Sequence, residues 1–289
     1  MIVLRTPGEM RHWSLERRRE GKTIGFVPTM GALHEGHLSL MREASKRDDA
    51  AVASIFVNPT QFGPNEDFSK YPRTFDEDCA KTEACGVAAV YAPAADAMYP
   101  PGYATTVSVE RLTEGLCGRS RPGHFAGVTT VVMKLFNAVL PHRAYFGQKD
   151  AQQCAVIRRM AHDLDTSVEI VEMPIVREPD GLAMSSRNAY LSESDRERAL
   201  AISQALFGAQ SMLEQGERRA ENVVRAVRER LDGLDVDYVE LVDAEEFAPV
   251  DKIRGSVVLA VAARVGTTRL IDNIKFCAPG SAHEEEAEK

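Results

Sequence analysis

Two histidines set the first chemistry within reach of this chain. His34 and His37 flank Glu35 and Gly36, soon after an apolar run, Ile24 to Val27, that reads as a buried strand. Pro28 has no N–H to give a ladder and is expected to end that strand. Gly31 and Gly36 let the backbone turn or approach a ligand closely. Leu38, Met41 and Ala44 then fall at helical spacing. A strand, a glycine-containing loop and a helix start place two imidazoles beside free, partly positive N–H groups, a setting for an anion such as phosphate. A protonated or hydrogen-bond-donating imidazole adds to that attraction. The bland alternative is a buried turn with two incidental histidines, but two of them three residues apart favour a site.

Other groups carry complementary chemistry. Gly147-Gln148-Lys149-Asp150 follows a short apolar strand and precedes a helix expected from Ala151 to Asp163, repeating the strand, turn and helix start. Lys149 brings a mobile cation to phosphates, and Asp150 can accept from ribose hydroxyls. On propensity alone, Asp150 is a helix N-cap. Met184-Ser185-Ser186-Arg187 offers two hydroxyls and a guanidinium, a phosphate clamp or a polar helix cap. Asn58 and Gln61 come directly after a second apolar strand, Ala51 to Val57, and could turn amides into the same crevice. For Asn58 an Asx-turn is an equal alternative. The segment Cys117 to Phe125 is glycine-rich and holds Arg119 and Arg121, which suit a triphosphate or a solvated surface turn.

The elements that must position these groups alternate. Strands are expected at Met1–Val3 (an edge), Ile24–Val27, Ala51–Val57, Val87–Ala92, Ala104–Val109, Ala144–Gly147 and Val168–Met173. Helices are expected at Arg11–Glu20, after His37, at Phe75–Cys85 and at Ala151–Asp163. Val128, Val131, Val132, Leu135, Phe136 and Val139 form the clearest amphipathic stripe, read as core. Alternating strands and helices predict a parallel sheet in an α/β, Rossmann-like N-terminal domain. After Met184 the pattern changes to two helices, Ser194–Glu214 and Glu217–Leu231, then strands at 236–242, 255–264 and 268–275. Helices followed by strands predict a smaller α+β C-terminal domain. The expected division is 1–176 for the Rossmann-like, nucleotide-binding part, 177–280 for a small α+β lid, and 281–289 for an acidic, disordered tail.

Composition bounds the function. The 289 residues are 44% hydrophobic and 27% charged, with 35 basic against 43 acidic side chains and a formal net charge of -8. That acidity argues against a general nucleic-acid binder. No stretch has the length of a membrane span and no signal peptide is evident, so a cytoplasmic protein is expected. Five cysteines without metal-site spacing read as reduced thiols.

Six strings carry a resemblance to the pantothenate synthetase (pantoate–β-alanine ligase) family. They are Pro28-Thr-Met-Gly-Ala-Leu-His-Glu-Gly-His-Leu-Ser-Leu40, Asn58-Pro-Thr-Gln-Phe62, Tyr71-Pro-Arg73, Ser120-Arg-Pro-Gly-His-Phe125, Phe146-Gly-Gln-Lys-Asp-Ala-Gln-Gln153 and Ala183-Met-Ser-Ser-Arg-Asn188. The His-x-Gly-His element by itself resembles a wider nucleotidyl-transferase superfamily. The resemblance implies an ATP-dependent ligase that joins pantoate to β-alanine through a pantoyl adenylate, with Mg²⁺, in a homodimer. It implies His34, His37, Lys149 and Arg187 as catalytic groups, with a proton-donor role for His37 whose main effect is read as electrostatic. It implies ATP contacts from Met30, Gly31, Ala32, Leu33, His34, Glu35, Gly36, His37, Gly147, Gln148, Lys149, Asp150, Val176, Met184, Ser185, Ser186 and Arg187. Pantoate is expected at Gln61, Gln153, Asn58 and Arg121, β-alanine at Gln61, with no dedicated protein metal site. The rivals are a different coenzyme nucleotidyl-transferase and a non-catalytic nucleotide sensor. A tRNA synthetase is disfavoured, because the chain lacks a basic anticodon domain.

Overall fold

The structure is a computed structural model that describes residues 1–64 and 66–279. The expected tail, 281–289, lies outside the described residues. In order, the elements are β1 (Ile2–Leu4), α1 (Pro7–Arg19), β2 (Ile24–Thr29), α2 (Glu35–Arg47), β3 (Ala50–Ile55), α3 (Phe75–Ala84), β4 (Ala89–Tyr91), α4 (Ala95–Met98), α5 (Leu116–Ser120) and α6 (His124–Val139). There follow β5 (Arg143–Gly147), α7 (Ala151–Asp163), β6 (Glu169–Met173), α8 (Glu193–Glu214), α9 (Ala220–Arg230), β7 (Asp235–Asp243), β8 (Ser256–Val265) and β9 (Thr268–Cys277). Six parallel strands lie in the order β1-β4-β3-β2-β5-β6, and an antiparallel sheet runs β7-β8-β9. This is the α/β class read from the sequence, a Rossmann-like sheet followed by a small α+β unit.

Side-chain alternation explains the sheet. Ile24 and Phe26 of β2 and Val52 of β3 join a core on one face, where the stripe Val128–Val139 of α6 packs. Val27, Ala51 and Ala53 face the other way, onto Leu40, Met41 and Ala44 of α2. Strands covered on both faces are apolar at successive positions. A fully buried side chain of this kind contributes roughly 1.5–3 kcal/mol relative to exposure.

Three expectations need correction. Pro28 lies inside β2, paired with Ser54, rather than ending it. The carbonyls of Thr23 and Thr29 accept from Ala50 and Phe56 on the β3 side, whereas that of Ile24 accepts from His142 on the β5 side. Residue 28 therefore faces β5, and pairing with β5 has already stopped at Phe26. The missing N–H thus leaves the ladder to β3 intact as far as Thr29, while pairing with β5 goes no further than Phe26. The first helix starts at Pro7, because Thr6 caps it, Glu9 closes a capping box and proline suits the first turn. Ala104–Val109 is not a strand. The peptide groups of Val107 are satisfied instead by α6 hydroxyls: its N–H donates to Thr130 Oγ1 (2.9 Å) and its carbonyl accepts from Thr129 (2.6 Å).

The second sheet does not stand apart. Val239 and Leu241 of β7 and Val257, Leu259, Val261 and Ala263 of β8 face α8 and α9. The alternate residues Tyr238, Val242, Val258, Ala260 and Ala262 pack against Leu116, Ala151, Ala155 and Val156. The helix that begins just after Lys149 thus rests on the second sheet.

Candidate active site

Strand order reverses direction at β2: β3 lies on one side and β5 on the other, and ligands of such sheets bind outside the carboxyl ends at this point. The main cleft opens there. Its walls include Met30, His34, Gly36, His37, Asn58, Gln61, Arg121, Gly147, Lys149, Asp150, Gln153, Val176 and Met184 to Arg187. Segments distant from one another in the chain therefore share one space.

The histidines are fixed by their own helix start. His34 is the N-cap of α2, and its N–H donates to His37 Nδ1 at 3.4 Å, while the two rings lie 4.1 Å apart. Burial, with the nearby cations, holds His34 down to about 4. Burial likewise, then His34 and Lys149, holds His37 well below the usual imidazole range. Both rings are neutral at neutral pH. Because His37 Nδ1 accepts, its proton sits on Nε2, which makes that atom a hydrogen-bond donor. Of the two expected forms, a protonated or a hydrogen-bond-donating imidazole, the second is the one this burial favours. His34 Nδ1 is buried without a partner among the described residues. Gly36 makes the packing possible, since a Cβ there would lie 2.9 Å from His34 Cε1.

The loop before these histidines behaves differently from expectation. The N–H groups of Ala32 and Leu33 donate to the buried Asp78 carboxylate (2.9 and 2.8 Å), which also accepts from Thr74. Glu35 is paired with Arg42. Gly31, Ala32, Leu33 and Glu35 are not brought to the cleft wall, and neither is Gln148, whose amide binds Asn273. The loop is a turn locked from behind, so its amides are not free for phosphate. Asp78 had no local signal in the sequence, because it acts across 45 residues.

Asn58 is 1% exposed, and every polar atom of its amide is engaged. Its oxygen accepts from Thr60 and from the Tyr99 hydroxyl (2.7 Å), and its NH₂ donates to Gly127 O (3.2 Å) and Gln61 Oε1 (3.1 Å). The Asx-turn reading describes it, and its part is to aim Gln61. Among the described residues, Gln61 Nε2 has only the Met30 sulfur as acceptor (3.1 Å). A thioether accepts weakly, which leaves that amide able to bind a ligand oxygen.

Both cleft arginines are held by one acidic loop. Arg121 forks onto Glu66 (2.6 and 2.7 Å), and Arg187 forks onto Asp67 (3.0 and 2.9 Å). Burial alone would raise the Glu66 carboxyl, but the hydrogen bonds and charge of Arg121 outweigh it and hold it at about 2. Arg119 pairs with Glu240 at the surface and is not brought to the cleft. His124 links the set: Nδ1 donates to Gln61 O (2.9 Å) and Nε2 accepts from Arg121 (3.0 Å). Burial, then Arg121, holds His124 down to about 4.

Asp150 stands at the N-cap of α7 without a side-chain capping bond, and Lys149 Nζ lies 3.7 Å from it. Ser185 does cap, accepting from Arg187 N–H (3.2 Å), and Ser186 meets the Tyr71 hydroxyl at 3.4 Å. Glu66, Asp67 and His124 were missed as site residues. His124 sat inside a family-like string, but the acidic loop gave no periodic or motif signal.

The depressed imidazoles have a consequence for stability. From pH 6.5 down to about 4 the unfolded chain takes up protons that folded His34 and His124 refuse. Their contribution therefore falls as pH is lowered through that window. Thermal unfolding should show a lower Tm at pH 5 than at pH 7; a Tm that rises on acidification would contradict the burial assigned to these rings.

A parallel α/β sheet with a cation- and imidazole-lined cleft at its strand-order reversal defines a nucleotide-site enzyme class. The particular family is settled by comparison: the family model for pantoate-beta-alanine ligase matches residues 2–275, and the chain belongs to that family. It is 56% identical over 276 residues to the pantothenate synthetase of Thermotoga petrophila, covering 94% of this chain and 99% of that one. The crystal structure of pantothenate synthetase from Thermus thermophilus superposes with a TM-score of 0.89 at 44% identity, covering 95% and 99% of the two chains. The pantoate-beta-alanine ligase of Francisella tularensis, complexed with beta-gamma ATP and beta-alanine, superposes with a TM-score of 0.76 at 32% identity, covering 95% and 97%.

Proposed function

We propose that this chain condenses pantoate with β-alanine at the expense of ATP, giving pantothenate, AMP and pyrophosphate. A pantoate carboxylate oxygen attacks the α-phosphorus, and the bond to pyrophosphate breaks. The amine of β-alanine then attacks the acyl carbon, the bond to AMP breaks, and an amide forms with loss of a proton. The observation that carries this reading is the meeting of the histidine pair, the Gln61–Gln153 wall, Lys149 and Met184–Arg187 in one cleft.

ATP is assigned to Met30, His34, Gly36, His37, Gly147, Lys149, Asp150, Val176 and Met184–Arg187, and pantoate to Gln61 and Gln153 with Arg121 nearby. Gln61 is also assigned to β-alanine. Negative charge grows on the phosphate oxygens as the bond to pyrophosphate breaks, and preorganised donors stabilise it. His37 Nε2–H, Lys149, Ser186 and Arg187 are those donors. The carboxylate is already a nucleophile and needs orientation more than a base. Asp150 is the carboxylate beside Lys149. A single oxygen donor of this kind fits an Mg²⁺ ion held mainly by phosphate oxygens and water, which would neutralise phosphate charge. Displacement of Glu66 and Asp67 by anionic substrates would free both arginines, and with 177–280 as a lid would help exclude water from the adenylate. No described helix is long and apolar enough to cross a membrane. A cytoplasmic homodimer completes the proposal.

AMP formation that requires ATP, pantoate and β-alanine together tests this function; AMP formed without pantoate would refute it. Gln61→Ala should raise the pantoate KM by about tenfold or more, the cost of one lost hydrogen bond to a charged group. The ATP KM should change far less, and the reverse pattern would contradict the assignment.

A further inference from the structure

The second sheet brings two adjacent buried polar residues beside the cleft, Asp272 and Asn273 of β9, which are 4% and 2% exposed and line a neighbouring pocket that shares Lys149 and Arg187 with it. Asn273 Nδ2 donates to both the Gln148 carbonyl (2.9 Å) and the Lys149 carbonyl (3.0 Å), and its Oδ1 accepts from Gln148 Nε2 (3.2 Å). All the polar capacity of this amide is directed at the turn that presents Lys149. Asp272 takes a forked pair from Arg177 (2.6 and 3.0 Å), and Arg177 also donates to Gly181 O (3.1 Å). Arg177 and Ala183 face each other across a short antiparallel bridge, and Met184 N–H donates to Val176 O at 3.0 Å. That small hairpin leads directly into Met184–Arg187. One dipeptide on one strand therefore grips both cation-bearing segments of the cleft, which are separated in the chain.

We propose that Asn273, with Asp272 beside it, is a positioning residue for the first chemical step. It sets where Lys149 stands relative to Ser185–Arg187. The inference rests on the proposed reading of the site as an ATP-activating one. The physical reason is register. A β-strand hydrogen-bonded along ten residue pairs to β8 is stiff, whereas each gripped segment is a short turn. Phosphate stabilisation depends on donors held at fixed separation, and misplacement by about 1 Å can cost about 10²-fold in rate. The second sheet thereby acts as the template that holds two phosphate-binding turns in mutual register.

The test is a cycle of four full-length proteins: the wild type, Asn273→Asp, Lys149→Ala and the double variant. Asn273→Asp keeps the shape but replaces the NH₂ group, which makes both donor bonds, by an oxygen facing two carbonyls. Single-turnover pyrophosphate formation from ATP and pantoate should fall about 10²-fold in Asn273→Asp, with the pantoate KM little changed. When Lys149→Ala is already present, the same change should cost less than about threefold, because coupled residues are non-additive. Equal losses in both backgrounds would overturn the proposal, since a merely structural asparagine would weaken both alike. If Asn273→Asp fails to accumulate as folded protein, Asn273→Ser runs the same cycle with the same criterion. A wild type with no pantoate-dependent turnover would overturn the functional reading as well, an outcome distinct from equal losses in an active enzyme.

Discussion

Replacing His37 by alanine should slow adenylate formation by about 10²–10³-fold, the cost of one preorganised donor to developing phosphate charge. The fold should survive, because the ring sits at a helix start and the turn before it is held by Asp78 rather than by His37. The neutral state of the ring sharpens the expectation. A group held well below the usual imidazole range donates through Nε2–H and carries no extra proton to give away. His37→Gln places an amide N–H near the position of Nε2, so it should recover about tenfold or more over His37→Ala, roughly one hydrogen bond to a charged group. Measurement is by single-turnover pyrophosphate release with circular dichroism as a control for folding. Equal, deep losses in both variants would instead show that His37 transfers a proton.

Arg187→Lys should lower the same rate by about 10–10²-fold, although charge is conserved. Arg187 already demonstrates its forked geometry on Asp67, with two bonds of 3.0 and 2.9 Å to the two carboxylate oxygens. A phosphate presents the same two-oxygen edge, and lysine cannot fork onto it. The loss should appear in the rate and in the ATP KM, with pantoate binding less affected. A variant indistinguishable from wild type would mean that only the charge at this position matters.

The α6 stripe, the strand–loop–helix at His34–His37 and the β5–Lys149–α7 turn were legible because each is local, with periodicity or a dense motif to mark it. Pro28 misled, because its missing N–H faces β5 and leaves the ladder to β3 intact as far as Thr29. Ala104–Val109 misled because hydroxyls of Thr129 and Thr130, unseen as partners, replace a neighbouring strand. None of the six family-like strings lies in the second sheet, yet Asn273 and Asp272 grip the Lys149 turn and the Arg177 hairpin. Contacts across 45 to 125 residues leave no pattern in a single chain. For the same reason nothing in the sequence marked that the amides of Ala32 and Leu33, two of the expected ATP contacts, are held by Asp78.

The central claim is that pantoate is activated as an adenylate before β-alanine reacts. Exchange of labelled pyrophosphate into ATP tests it most directly. The expected result is exchange that requires pantoate and proceeds without β-alanine, since the first step alone is reversible. Exchange that is independent of pantoate, or that begins only when β-alanine is added, would contradict it.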